Sequence, residues 1–239
     1  MAIISNTVVY MDGDVVLEAL FAFDDTQAGR RPAVLINHAW GGRDDFVAEK
    51  AKKMAALGYV GFAVDMYGKG VLGANPEENM QLMRPFMEDR AMLQQRLKAA
   101  LAAVKLMPWV DDSNIAAMGF CFGGLCVLDL ARTGADIKGV VSFHGLLVPP
   151  GNTQGNKIKA KVLVLHGNDD PMVPAEQVLA FEQEMTEAGA DWQLHTYGNT
   201  LHAFTNPIAN NPGFGTVYQP DSDRRSWLSM QNFFAEIFA

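Results

Sequence analysis

A chain of 239 residues, 49% of them hydrophobic and 19% charged, can bury a sizeable core and is not a disordered tail. A formal charge of −8, with no Lys/Arg cluster to follow a phosphate backbone, excludes nucleic acid and anionic membrane surfaces as expected partners. The opening MAIISNTVVYMDGD has neither the basic flank nor the long apolar core of a secretory signal, and no 18-residue apolar span occurs, so a cytoplasmic location is expected.

The first strands are expected at Thr7–Met11 and Val15–Phe23, joined at Asp12-Gly13, a strong hairpin signal. Short apolar strands come next at Ala33–His38 and Val60–Asp65, with a helix at Asp44–Leu57 between them that stops at Gly58. Gly68-Lys69-Gly70-Val71-Leu72-Gly73 matches the dinucleotide fingerprint in letters only. Ala74-Asn75-Pro76 comes directly after it, so no helix opens on the third glycine, and no strand ends in an acid about 20 residues on. Pro76–Met107 is a long, alanine-rich helical stretch, expected to break at Pro85. Further strands at Asn114–Phe120, Gly139–His144, Lys161–His166 and Trp192–Tyr197 alternate with helices at Phe122–Ala131, Pro174–Ala188 and Asp221–Phe238. No repeat or linker divides the chain. A hairpin followed by strand–helix units implies one domain over residues 1–239, a three-layer α/β/α sandwich with a mostly parallel sheet of about eight strands. Function in such sheets collects at the carboxyl ends of the strands.

One such end carries Gly119-Phe120-Cys121-Phe122-Gly123, a G-x-nucleophile-x-G turn between a strand and a helix. The glycines would relieve crowding of strand against helix, and the helix N-terminus would favour a thiolate. A cysteine that merely packs is the alternative, and it is the better reading for Cys126, one turn into the helix. The two cysteines lie badly for a disulfide, which suits a reducing compartment. A thiol of pKa ~8.5 is only a few per cent ionised at neutral pH, so a nucleophilic cysteine needs an imidazole beside it and an acid to orient that imidazole. Of five histidines, His202 lies in the loop GNTLHAFTN before the closing helix, and His166 ends a strand just ahead of Asp169 and Asp170. His144, His166 and His195 read as strand-end or strand-face residues. Nucleophile, acid and histidine then succeed three late strands in the chain order of α/β-hydrolases.

Those segments resemble the dienelactone hydrolases, a cysteine-nucleophile branch of the α/β-hydrolases, over essentially the whole chain. MGFCFGG is similar to the family's G-x-C-x-G-G elbow, HGNDDPMVP to its H-G-x-x-D-x-x-V-P segment, LHAF to its histidine loop and FAVDMYGKG to its D-x-Y-G-x-G strand end. The resemblance implies a triad of Cys121, Asp170 and His202. Asp170 is preferred to Asp169 because it carries the D-x-x-V-P spacing. An oxyanion hole is expected from the backbone N–H groups of Phe122 and Ala39.

Two departures from the family pattern bear on the pocket. His38 stands where the family has a glutamate that contacts the thiol, ahead of Ala39-Trp40-Gly41, and it could bond the thiol or support the loop. Asn206 stands where the family has a carboxylate-binding arginine, with Arg84 and Arg90 as possible replacements. A neutral or larger substrate is therefore expected. The implied activity is metal-free and cofactor-free hydrolysis of a small ester or lactone through a covalent enzyme intermediate, by a monomer or homodimer. Phosphotriester hydrolysis by the same residues and a non-catalytic binding protein of this fold are the alternatives.

Overall fold

The computed structural model describes residues 2–239. They fall into two compact units, one running through Met118 and one from Gly119 to Ala239. In the first unit, β1 (Ile3–Asp12) and β2 (Val15–Asp24) pair antiparallel about the expected Asp12-Gly13 turn, with Gly13 at φ +57°. Then come β3 (Arg31–Asn37), α1 (Asp45–Ala56), β4 (Val60–Ala63), α2 (Pro76–Glu88), α3 (Arg90–Lys105) and β5 (Val110–Phe120), which carries the chain into the second unit. That unit continues with α4 (Phe122–Arg132), β6 (Gly139–Phe143), β7 (Lys161–Gly167), α5 (Ala175–Glu187) and β8 (Trp192–Tyr197). A two-residue pair, β9 (Asn210–Asn211) and β10 (Thr216–Val217), precedes α6 (Pro220–Ile237).

The sheet has eight strands in the order β1-β2-β4-β3-β5-β6-β7-β8. The hairpin joins it antiparallel, while β3–β4, β6–β7 and β7–β8 are parallel. This is the mostly parallel sheet of an α/β-hydrolase fold that the alternating elements imply. Strands β4 and β6 are buried at every residue, as continuous apolar runs between helices should be. Helix α4 is buried along its whole length. Its two charges are satisfied internally: Arg132 bonds Asp129 at 3.3 Å, Leu147 O at 2.9 Å and the Glu184 carboxylate of α5 at 2.7 Å. Stripping one partner would leave a buried charge unpaired.

The helical stretch 76–107 breaks at Asp89, four residues after the expected Pro85, which sits inside α2. Pro85 lacks an N–H but keeps its carbonyl, which accepts from Asp89 N–H at 2.9 Å. The Asp89 carboxylate then takes Met92 N–H at 3.0 Å and caps α3. The cap sets the boundary. Among the described residues, no helix is long and apolar enough to cross a membrane.

Candidate functional site

Residues Ile115–Phe120 at the end of β5 are buried, and the chain turns sharply at Cys121 (φ 55°, ψ −117°) before α4 begins at Phe122. A side chain with positive φ is strained by ~1–3 kcal/mol, and such strain concentrates at functional sites. The turn is closed by Gly124 N–H at 2.9 Å and Leu125 N–H at 3.3 Å, both donating to Cys121 O. A Cβ at Gly119 would strike the backbone of Gly123, and one at Gly124 would come within 2.7 Å of Gly145 Cα. The bare residues that let α4 close down are thus Gly119 and Gly124, with Gly123 supplying the backbone that approaches. Cys121 is half-buried while Cys126 is fully buried.

The turn after β7 brings up Asp170, and the loop after β8 brings up His202; both are at most 3% exposed. His202 Nδ1–H donates to Asp170 Oδ2 at 2.7 Å, while Asp170 Oδ1 accepts from Met172 N–H at 2.9 Å. Asp169 is exposed and bonded to Asn168. The histidine loop is pinned by β10: His202 N–H donates to Gly215 O at 2.9 Å, and Val217 N–H donates to His202 O at 3.1 Å.

His202 Nε2 is buried without a hydrogen bond of regular geometry, while the His202 side chain is coupled to the Cys121 thiol. Burial acts to lower the His202 pKa, but the charge of Cys121 and the bond to Asp170 outweigh it and push it up to about 10. Burial likewise acts to raise the Cys121 thiol, and the charge and hydrogen bond of His202, helped by the Phe122 N–H, bring it below its ordinary value. The two groups favour each other's ions. This is a proton donor–acceptor pair arranged for a thiolate and an imidazolium.

Two neighbours lie outside the pattern read from the sequence. His144, one residue past β6, sits with its ring centroid 5.1 Å from that of His202. His166, one residue before the end of β7, has its Nδ1 buried and unbonded, and burial holds its pKa down. No sequence signal separates either from an ordinary strand-end histidine. Asn206, in the turn after His202, is committed locally: its Oδ1 accepts from Ile208 N–H at 3.2 Å.

His38, Ala39, Trp40, Arg84 and Arg90 belong to the first unit. His38 donates from Nδ1 to Ala39 O at 2.6 Å, and its Nε2 accepts from Met66 N–H at 3.3 Å, so both ring nitrogens support the loop after β3. Burial lowers its pKa to about 4, keeping it neutral. Tyr67 O–H donates to Trp40 O at 2.9 Å. Asp65 organises the DMYGKG turn by accepting from Tyr67 N–H at 3.0 Å and Gly68 N–H at 2.9 Å. Arg84 is exposed beside Glu88, whereas Arg90 is buried at the start of α3.

The family model described as "Dienelactone hydrolase family" matches residues 17–238. The crystal structure of a dienelactone hydrolase-like promiscuous phosphotriesterase from metagenomic libraries superposes with a TM-score of 0.95 at 37% identity, covering 100% of both chains. An uncharacterized protein of Caenorhabditis elegans is 39% identical over 153 residues, 62% of this chain and 95% of that one. A Bradyrhizobium protein named "Probable 2-oxo-3-(5-oxofuran-2-ylidene)propanoate lactonase" is 25% identical over 209 residues, 83% of this chain and 81% of its own. The chain belongs to the dienelactone hydrolase family, hydrolases that act on ester or lactone bonds.

Proposed function

We propose that Cys121, His202 and Asp170 form a Cys-His-Asp triad that hydrolyses esters or lactones through a covalent thioester. The observation that carries this reading is the buried His202, tied through Nδ1 to Asp170 at 2.7 Å and coupled to the Cys121 thiol. His202 Nε2 takes the Cys121 proton, and the thiolate attacks the substrate carbonyl. The carbonyl oxygen becomes an oxyanion, with Phe122 N–H at the start of α4 as one donor. Collapse expels the alkoxide, which takes the proton from His202 and leaves the acyl group on Sγ. Water, deprotonated by His202, attacks the thioester and releases the acid, and the proton returns to Cys121. Asp170 holds the imidazole in the tautomer this requires.

The substrate is read as neutral, because Asn206 replaces a cation and is bonded within its own turn. Turnover of a chromogenic neutral aryl ester, set beside an anionic lactone, tests both parts. Cys121→Ala should lower kcat by several orders of magnitude with the fold retained, and the neutral ester should show the higher kcat/KM. Full activity in Cys121→Ala would remove the thiol from the chemistry. Efficient turnover of the anionic lactone would instead overturn the neutral-substrate reading alone.

A second reading, phosphotriester hydrolysis by the same residues, is favoured by the 37% identity to a protein named as a promiscuous phosphotriesterase. A neutral triester also develops negative charge on one oxygen during attack. Both cysteines are outside any disulfide, which suits a reducing compartment such as the cytoplasm.

A further inference from the structure

Residue 144 is a histidine where the backbone would favour glycine. Its φ is +39°, a region that L side chains rarely adopt. The neighbouring Gly145 packs closely as well, since a Cβ there would clash with Ser142 and come within 2.7 Å of the Gly124 carbonyl carbon. Retaining a bulky ring under such strain calls for a reason, and the bonds of that ring supply one.

The backbone N–H of Cys121 can only donate, and it does so to His144 Nδ1 at 3.1 Å while also sharing Phe143 O at 3.0 Å. Taking that contact as a hydrogen bond assigns His144 Nδ1 as the unprotonated nitrogen. The ring proton sits on Nε2, which donates to Thr205 Oγ1 at 2.8 Å. One tautomer, neutral, satisfies both bonds. Thr205 lies three residues beyond His202 in the histidine loop and is itself buried. The same ring stands edge-on to His202 at 5.1 Å and to Phe204 at 5.1 Å, while His144 N–H donates to Leu165 O of β7 at 2.9 Å.

We propose that His144 is a positioning residue, a neutral strut that fixes the Cys121 turn against the His202 loop through its paired bonds to Cys121 N–H and Thr205 Oγ1. The proposal rests on the reading of Cys121 and His202 as nucleophile and base. Those two side chains come from segments 81 residues apart, and the coupling between the Cys121 thiol and the His202 ring depends on how those segments are held against each other. Proton transfer between them depends on that separation. A protonated His144 would lose its acceptor at Nδ1 and set a second cation beside the His202 imidazolium. His202, edge-on to this ring, is itself coupled to Cys121, Asp170 and His166.

Thr205→Val and His144→Asn cut the same link from its two ends. Thr205→Val is close to isosteric. In His144→Asn the shorter side chain keeps an amide oxygen that can accept from Cys121 N–H but cannot reach Thr205. Each variant should lower kcat for a neutral aryl ester by ~10- to 100-fold with KM nearly unchanged, since small misplacements of reacting groups carry losses of that size. The double variant should be no slower than the slower single one, because both remove one interaction. The pH profile of Cys121 alkylation by iodoacetamide should move to higher pH in all three, a shift that loosened packing elsewhere would not produce. Additive losses, or an unchanged alkylation profile in folded Thr205→Val, would overturn the strut. Alkylation needs no ester, so it reports on His144 even if Cys121→Ala keeps its turnover and the proposed reaction fails.

Discussion

At the scale of single residues, adjacent acids are separated by burial. Asp170 and Asp169 are neighbours in sequence, yet only Asp170 is buried and bonded to His202, while Asp169 faces solvent. Asp170→Asn should retain the fold but present the wrong imidazole tautomer, costing up to ~10⁴ in kcat. Asp169→Asn should stay close to wild type in the same assay, and a reversed ranking would displace Asp170 from its role. The D-x-x-V-P spacing already distinguishes these two acids. His144 is beyond the reach of such reasoning, because its meaning lies in a contact with Thr205, 61 residues away.

At the scale of elements, the turn at Cys121 is set by how closely α4 descends on β5. Gly119 has no room for a methyl group, because the Gly123 backbone occupies it. Gly119→Ala should therefore push the helix start outward and lower activity more steeply than stability, which thermal melting and ester turnover would separate; equal effects would locate the damage in the core instead. Strands with continuous apolar runs, such as β6 and β7, and the Asp12-Gly13 hairpin are legible in the sequence because each signal is local. The start of β5 is not: Asp111-Asp112-Ser113 is polar, and its strand geometry comes from context. The β9–β10 pair escapes sequence reading for the same reason. Two-residue strands carry no periodicity, yet Val217 of β10 and Gly215 just before it hold the backbone of His202.

At the scale of the whole molecule, buried histidines set the acid limit of stability. Burial lowers His38 from 6.5 to about 4, so above pH 6.5 it is neutral in both folded and unfolded chains. As pH falls from 6.5 toward 4, the unfolded chain binds that proton first and stability is lost across the window, by on the order of 3 kcal/mol in full. His166 acts in the same direction. His202, raised to about 10, is protonated in both states below 6.5 and contributes nothing to this slope. His38→Asn, which can keep a donor for Ala39 O but cannot titrate, should show a shallower fall in urea-unfolding free energy between pH 6.5 and 4. An identical slope would assign the acid loss to other groups. The placement of the two cysteines also decides how the enzyme ages. Cys121 is the less buried of the two and its thiol pKa is lowered, the combination that peroxide oxidises first to a sulfenic acid. Cys126 is sealed inside α4 and cannot reach out to trap that species as a disulfide. Brief peroxide treatment should add one oxygen at Cys121 and be reversed by dithiothreitol, whereas longer exposure should add a second oxygen and silence the enzyme for good. With no resolving partner built in, its working lifetime is handed to the thiols of its surroundings.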